Sequence, residues 1–234
     1  MSVRRLDPAL AQIARDELAE DSQRLEDDLR HIKEWLAKQP HLRARNDDRW
    51  LVAFLRGCKF SFERTKTKID LYYTLRSTAA DVTLRLKPGD PKFMEIVRLG
   101  TSLILPKSKD PLTPRVVLLR PTVYDPNKFH IADIICVFYY LVQILVIEDD
   151  TAQVIGVKTV VDTKGTAVAH LSQLTPALLK KIVVVTQVRT IEGITFKERS
   201  RPASGLAFEA IAGPGLESKP GPSGRLRQIN VALM

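Results

Sequence analysis

The sequence predicts an α/β protein: a small helical bundle at the N-terminus, followed by a layer of short strands and longer helices. Three observations carry this. From Val154 a β-branched run, VIGVKTVVD, stops at Asp162 and turns at Gly165, and Thr175-Pro176 then opens a helix that reaches Gln187. Strand, turn and helix in that order make half of an α/β layer. In the first eighty residues, apolar side chains recur at helical spacing in four short segments. After Gly100 the period changes to short apolar runs separated by turn residues.

The elements follow in order. Asp7-Pro8 opens a first helix with Leu10, Ile13, Ala14 and Leu18 on one face. Ser22 is positioned to cap a second, with Leu25, Leu29, Ile32 and Leu36 in one stripe that ends before Pro40. Asn46-Asp47-Asp48 precede a third, whose apolar face is Leu51, Phe54, Leu55 and Cys58. Ser61 precedes a fourth, carrying Ile69, Tyr72 and Tyr73. Asp90-Pro91 opens a short helix stopped at Gly100. Ser102–Leu105 and Val116–Leu119, separated by PKSKDPLTP, read as a hairpin-like strand pair. The most apolar stretch, Ile131 to Ile147, is interrupted by Asp133 and Gln143 and ended by Glu148-Asp149-Asp150. It reads as a buried helix rather than a membrane span. From Val188 onward lie six of the eleven glycines and no long apolar run. Such composition predicts a disordered or loosely attached tail over roughly 200–234.

Composition bounds the function. A chain of 234 residues with 44% hydrophobic and 27% charged residues fits a soluble globular protein with one sizeable core. The formal net charge of +9 favours anionic partners, although a solvated basic surface gives the same balance. Aromatics are only 6%, with no basic–aromatic cluster, so nucleic acid is not the expected partner. The two cysteines, Cys58 and Cys136, lie in apolar helical patterns and read as reduced thiols. The N-terminus lacks the apolar core of a signal peptide, which points to the cytosol. No metal site is expected, because the four histidines are scattered. Nor is a cofactor or a catalytic role: no nucleophile elbow, phosphate loop or zinc-protease motif occurs. Asp162 at a strand end, with Lys164 and His170 nearby, is the one acid–base set available, and each has an ordinary structural reading.

Four segments together resemble the CRAL-TRIO family, which includes tocopherol and retinal transfer proteins. They are DDRWLVAFLRGCKFSFERTKTKIDLYY (47–73), RVVLLRPTVYDPNKF (115–129), GVKTVVDTKG (156–165) and HLSQLTPALLKKIVVVTQ (170–187). The match spans roughly 20–187, and its specificity lies in the order and spacing of the pieces. The resemblance implies a helical N-terminal subdomain over 1–80, a partial lipid-binding domain over 90–196 and an atypical tail over 197–234. Family members continue with a further strand and a gate helix, whereas here Gln187 is followed by VRTIEGITFKERS. The domain is thus expected to lack its recognisable C-terminal part.

By motif-to-motif matching, the lipid pocket would be lined by Ile135, Phe138 and Val142 on one helix face, Val157 and Val161 on one strand face, and Leu174, Ile182 and Val185 beyond. All eight would equally serve as ordinary core. Phosphoinositide head groups would be met by Arg56 and Lys59, with Arg189 standing in for a basic cluster on the absent strand. The expected function is cytosolic binding and inter-membrane transfer of a small hydrophobic lipid by a monomer that visits anionic membranes. The alternative is a non-transporting isoform that acts as an interaction or membrane-surface module.

Overall fold

The structure, a computed structural model, describes residues 3–189, 197–198 and 230–233. It opens with α1 (Pro8–Leu18), α2 (Leu25–Ala37), α3 (Asp48–Gly57) and α4 (Phe62–Thr78), with a 3-10 turn at Pro40–Leu42 between α2 and α3. The caps follow from side chains. Asp7 accepts from the N–H of Ala9 at 2.9 Å and Asp47 from that of Trp50 at 3.2 Å, each satisfying a donor the helix start leaves free. Ser22 does not cap α2. Asp21 takes the neighbouring N–H of Gln23 into a turn, and α2 begins three residues after Ser22 with Arg24 at the cap and no side-chain bond there. Leu29 and Ile32 of α2, Trp50, Leu51, Val52, Phe54 and Leu55 of α3, and Ile69 and Tyr72 of α4 share one core. Within it the rings of Trp50, Phe54 and Tyr72 meet edge to face at 5.1–5.7 Å, the arrangement their quadrupoles favour.

The second layer begins with α5 (Ala80–Thr83) and α6 (Pro91–Arg98), then β1 (Ser102–Ile104) and β2 (Arg115–Leu119), which pair antiparallel as the hairpin expected. The long helix α7 (Ile131–Glu148) and the five-residue α8 (Asp150–Val154) carry the chain over to β3 (Val157–Val161). β3 runs parallel to β2, with Arg115 opposite Val157 and Leu119 opposite Val161. Parallel neighbours need such a crossover. Val154, expected to start this strand, instead ends α8. Asp149 caps α8 through the N–H of Ala152 at 3.1 Å, and Gly156, at φ +108°, makes the turn into β3 that a side chain would resist. α9 (Val168–Leu171) and α10 (Pro176–Arg189) follow. Thr175 accepts from the N–H of Leu178 at 3.2 Å, as the Thr-Pro signal predicts.

The sheet closes with β4 (Lys197–Glu198) and β5 (Asn230–Leu233), in the order β1-β2-β3-β5-β4. Most of the expected loose tail lies outside the described residues. At 230–233 the structure departs from that expectation: this short apolar run lies parallel to β3, with Val160 opposite Ala232. The reason is the edge of β3, which would otherwise present unpaired N–H and C=O groups.

α7 is long and apolar enough to cross a membrane, with a mean hydropathy of 2.0, yet 56% of it is buried within the protein. Its two polar interruptions have partners. Asp133 accepts from Arg85 at 2.5 Å and from Lys92 at 2.8 Å, and Gln143 donates to the Tyr72 hydroxyl at 2.8 Å. His130 and Asp133 form a capping box: the His130 Nδ1 accepts from Ala132 and Asp133 accepts from the His130 N–H, both at 3.1 Å.

Candidate functional site

The eight candidate lining residues converge. Ile135 and Phe138 on α7, Val157 on β3 and Val185 on α10 belong to one buried apolar cluster. Val142, Val161, Leu174 and Ile182 pack against it from its margins. Two periods bring this about. The i, i+3, i+7 spacing on α7 keeps one face toward the sheet. The period of two on β3 sets Val157, Thr159 and Val161 on the same side as Arg115, Val117 and Leu119 of β2. The spacing also offered Leu178, one turn before Ile182, which packs on the same cluster and was not singled out.

The wall made by α10 is held by a residue the sequence reading missed. The Tyr139 hydroxyl donates to the carbonyl of Ile182 at 3.0 Å and lies 2.6 Å from the Thr186 hydroxyl. A tyrosine in an apolar helix gives no local sign of such a partner, which lies 43 residues on. Gln173 is a second missed position. Its Oε1 accepts from the Tyr124 hydroxyl at 2.9 Å and the N–H of Ile131 at 2.7 Å, and its Nε2 donates to the carbonyls of Pro126 and Phe129. One side chain thereby ties the segment before α7 to the segment before α10. Burial, reinforced by the negative charge of Asp133, pushes the Tyr124 phenol up to about 12, so it remains a donor at neutral pH.

The basic candidates separate. Arg56 is 1% exposed. Its guanidinium grips both oxygens of Glu20 at 2.8 Å and the side-chain carbonyl of Gln153 at 2.6 Å. It has no face left for a phosphate. This corrects the expectation that it meets a head group: a fully charged side chain inside α3 is tolerated because Glu20, from the turn after α1, reaches it. Lys59 is exposed, just past α3, with φ at +51°. Arg189 closes α10, and its side chain lies outside the described residues.

The acid–base set does not assemble. Asp162 pairs with Arg120 at 3.7 Å and accepts from the N–H of Lys164. Both His170 nitrogens are engaged, Nδ1 with the N–H of Ala167 and Nε2 with the carbonyl of Tyr124. Among the described residues, no group of three or more potential metal ligands gathers. A polar cleft of about 370 Å³ between α2 and the start of α4, lined by Asp28, Arg30 and His31 among others, shares no residue with the apolar cluster.

On the surface near the C-terminal end of β3, Val168 is 82% exposed and Leu171 is 56% exposed, one helical turn apart on α9. Exposed Lys164 precedes them in the same loop.

Comparison with known proteins agrees with this architecture. A family profile described as Pinta-like, UBA domain, matches residues 21–83. Alpha-tocopherol transfer protein-like of Homo sapiens is 29% identical over 175 residues, 74% of this chain and 50% of its own length. The protein of that name from Mus musculus is 28% identical over the same shares. Clavesin-1 of Xenopus laevis is 25% identical over 176 residues, 75% of this chain and 52% of its own. The chain spans about half the length of the curated relatives it matches. Over about three quarters of its length the chain is thus similar to alpha-tocopherol transfer protein-like proteins and clavesins, a similarity consistent with a CRAL-TRIO domain.

Proposed function

We propose that the chain binds one small apolar lipid, of tocopherol or retinoid size, and carries it between membranes. The observation that supports this best is the convergence of apolar side chains from α7, β3 and α10 on one cluster, faced by a sheet and closed by a helix. The relatives' name, alpha-tocopherol transfer protein-like, points the same way. Burying on the order of 300 Å² of apolar ligand surface contributes roughly 7 kcal/mol at ~25 cal/mol per Å². The helical N-terminal part over 1–80 and the lipid-binding part over 90–196 act together here, because α10 packs against α4 as well as against α7.

Exchange takes place at an anionic, phosphoinositide-bearing membrane. Val168 and Leu171 supply an exposed apolar tip and Lys164 a neighbouring charge; each basic residue near such a surface adds about 1 kcal/mol. Lys59 and Arg189 remain the head-group candidates, and Arg56 drops out of that role. A second reading also has an observation in its favour. The eight residues pack on one another as a filled core does, which fits an interaction module that carries no lipid.

Solvent extraction of the purified protein followed by mass spectrometry separates the two. A near-stoichiometric amount of one apolar lipid is the expected result. An empty protein that also fails to take up labelled tocopherol or retinal from vesicles would overturn the transfer reading. Co-sedimentation with vesicles, with and without phosphatidylinositol bisphosphate, tests the membrane step by itself.

A further inference from the structure

We infer that Thr113 is a phosphoacceptor for a proline-directed protein kinase. The sequence holds two Thr-Pro pairs, Thr113-Pro114 and Thr175-Pro176, and no Ser-Pro. Proline after the acceptor has no N–H, so only a kinase groove that leaves that position without a hydrogen-bond partner accepts it. Thr113 also has Pro111 two positions before it. A residue followed by proline is biased to the extended conformation, and Pro111 fixes its own φ near the extended range. Thr113, followed by proline, is thus biased to the extended form in which a substrate lies in a groove, while residues 111–112 before it form a turn that must open.

The structure separates the two threonines. Thr113 is half-buried and Thr175 exposed, so backbone setting and not exposure distinguishes them: Thr113 lies in the loop between β1 and β2, next to the exposed residues 105–112. Its hydroxyl donates to Asp110 Oδ2 at 3.0 Å, in an exposed bond. The other bonds that shape the loop are local: the N–H of Leu112 to Asp110 Oδ1 at 2.9 Å, the N–H of Thr113 to the carbonyl of Asp110 at 3.2 Å, and the N–H of Asp110 to Ser108 at 3.2 Å. Opening them leaves the strand pairing intact, since Leu105 still bonds Val116 across the hairpin at 2.9 Å. Thr175, by contrast, caps α10. Its side chain accepts from Leu178 and its carbonyl from Leu179, and extending it unravels the turn that carries Leu178 onto the apolar cluster.

In the reaction, the Thr113 oxygen attacks the γ-phosphorus of ATP. The new O–P bond forms as the bond from that phosphorus to the β–γ bridging oxygen breaks. ADP leaves, and the hydroxyl proton passes to the catalytic carboxylate of the kinase. The product carries a charge of roughly −1.5 to −2 beside Asp110, which no longer has a hydroxyl proton to accept. It also stands near Lys109 and Lys107 in sequence, and Lys107 is now paired with Asp149 at 3.1 Å. The phosphate therefore opens the Asp110 turn and competes with Asp149 for Lys107.

The test is to incubate the full folded chain with a proline-directed kinase and ATP and to map phosphate by mass spectrometry. Peptides spanning 108–118 and 170–180 give the intrinsic preference of the kinase. Thr113 is expected to react at least roughly tenfold faster than Thr175 once each rate is divided by that of its peptide. The loop bonds at Thr113 are exposed and exchange for bonds to water, whereas extending Thr175 also pulls Leu178 off the apolar cluster, and reactivity follows the open population. Thr113→Ala should reduce incorporation to the Thr175 level. The inference fails if the folded chain takes no phosphate at Thr113, if Thr175 keeps pace with it, or if the 108–118 peptide is itself refused.

Discussion

Removing the carboxylate of Glu20 should destabilise this protein more than almost any other single change at a charged position. Glu20 supplies two of the three side-chain acceptors of Arg56, both at 2.8 Å, and the Arg56 side chain is 1% exposed. In Glu20→Ala the guanidinium keeps Gln153 alone of its three side-chain hydrogen bonds among the described residues and stays buried in α3. Breaking one side of such a pair costs roughly 3–5 kcal/mol, because the remaining charge is left without compensation. For a domain of this size each kcal/mol moves the melting temperature by about 2–4 °C, so the expected drop is of the order of 6–20 °C by circular dichroism. Replacing both partners by apolar residues, as in Glu20→Leu with Arg56→Met, should recover most of the loss, because the desolvation of both charges disappears with them. The double variant should also bind phosphoinositide vesicles as the parent does, since Arg56 never reaches the surface. A Glu20→Ala variant that loses less than about 1 kcal/mol would refute the reasoning. So would a double variant that melts normally but loses the vesicles, because that assigns Arg56 to the membrane after all.

Three other changes test separate parts of the structure. Burial raises the Asp133 carboxyl, but hydrogen bonds from Lys92, Arg85 and the His130 N–H outweigh it and leave it below its ordinary value. A depressed folded value means that the stability Asp133 contributes is present above the unfolded value near 3.9 and is lost as pH falls through the lower folded one; acid unfolding profiles of Asp133→Asn should therefore be flatter below about pH 4. Gln173→Ala removes four hydrogen bonds at once and should cost roughly 2–4 kcal/mol in urea unfolding; a loss within 0.5 kcal/mol would mean that water replaces the side chain without penalty. Val168→Asp, at a site 82% exposed, should leave stability within about 0.5 kcal/mol while weakening vesicle co-sedimentation, and unchanged sedimentation would remove α9 from the membrane face.

The elements that sequence reading found best are those whose signals are local. α7 begins and ends within a residue of its apolar run, Asp7, Asp47 and Thr175 cap as their residue types suggest, and the hairpin forms around its turn-rich loop. α8 was invisible because five residues, DTAQV, are too few to show a period. Ser22 misled because the adjacent Asp21 competes for the same kind of N–H. The faces of the apolar site were legible from spacing alone, but the locking of α10 by Tyr139 and the bridging by Gln173 were not. Arg56 is the sharpest case. The resemblance assigns it to the head group, and the acid that holds it inside lies 36 residues away on an element with no pattern of its own.

The distribution of polar contacts indicates which wall of the site should move. α7 is fixed at its start by Asp133 with Arg85 and Lys92, and in its middle by Gln143 with Tyr72. Beyond its end, Asp149 pairs with Arg115 and Lys107. Displacing α7 would strand buried carboxylates. α10 is held more lightly. Val185 is its one fully buried side chain among the described residues, and its polar ties include the two Tyr139 contacts and the exposed Lys181–Asp81 pair at 2.7 Å, of a kind worth 1 kcal/mol or less. A ligand that enters the cluster should therefore do so by lifting α10. Tyr139→Phe removes the latch while keeping the ring and should cost roughly 1–2 kcal/mol. If α10 is the moving wall, the variant should exchange labelled lipid with vesicles faster than the parent, and amide hydrogen exchange should rise in α10 and not in α7. Equal protection lost in both helices would show that the hydroxyl supports the whole core. Slower lipid exchange with α10 loosened would place the entry path elsewhere.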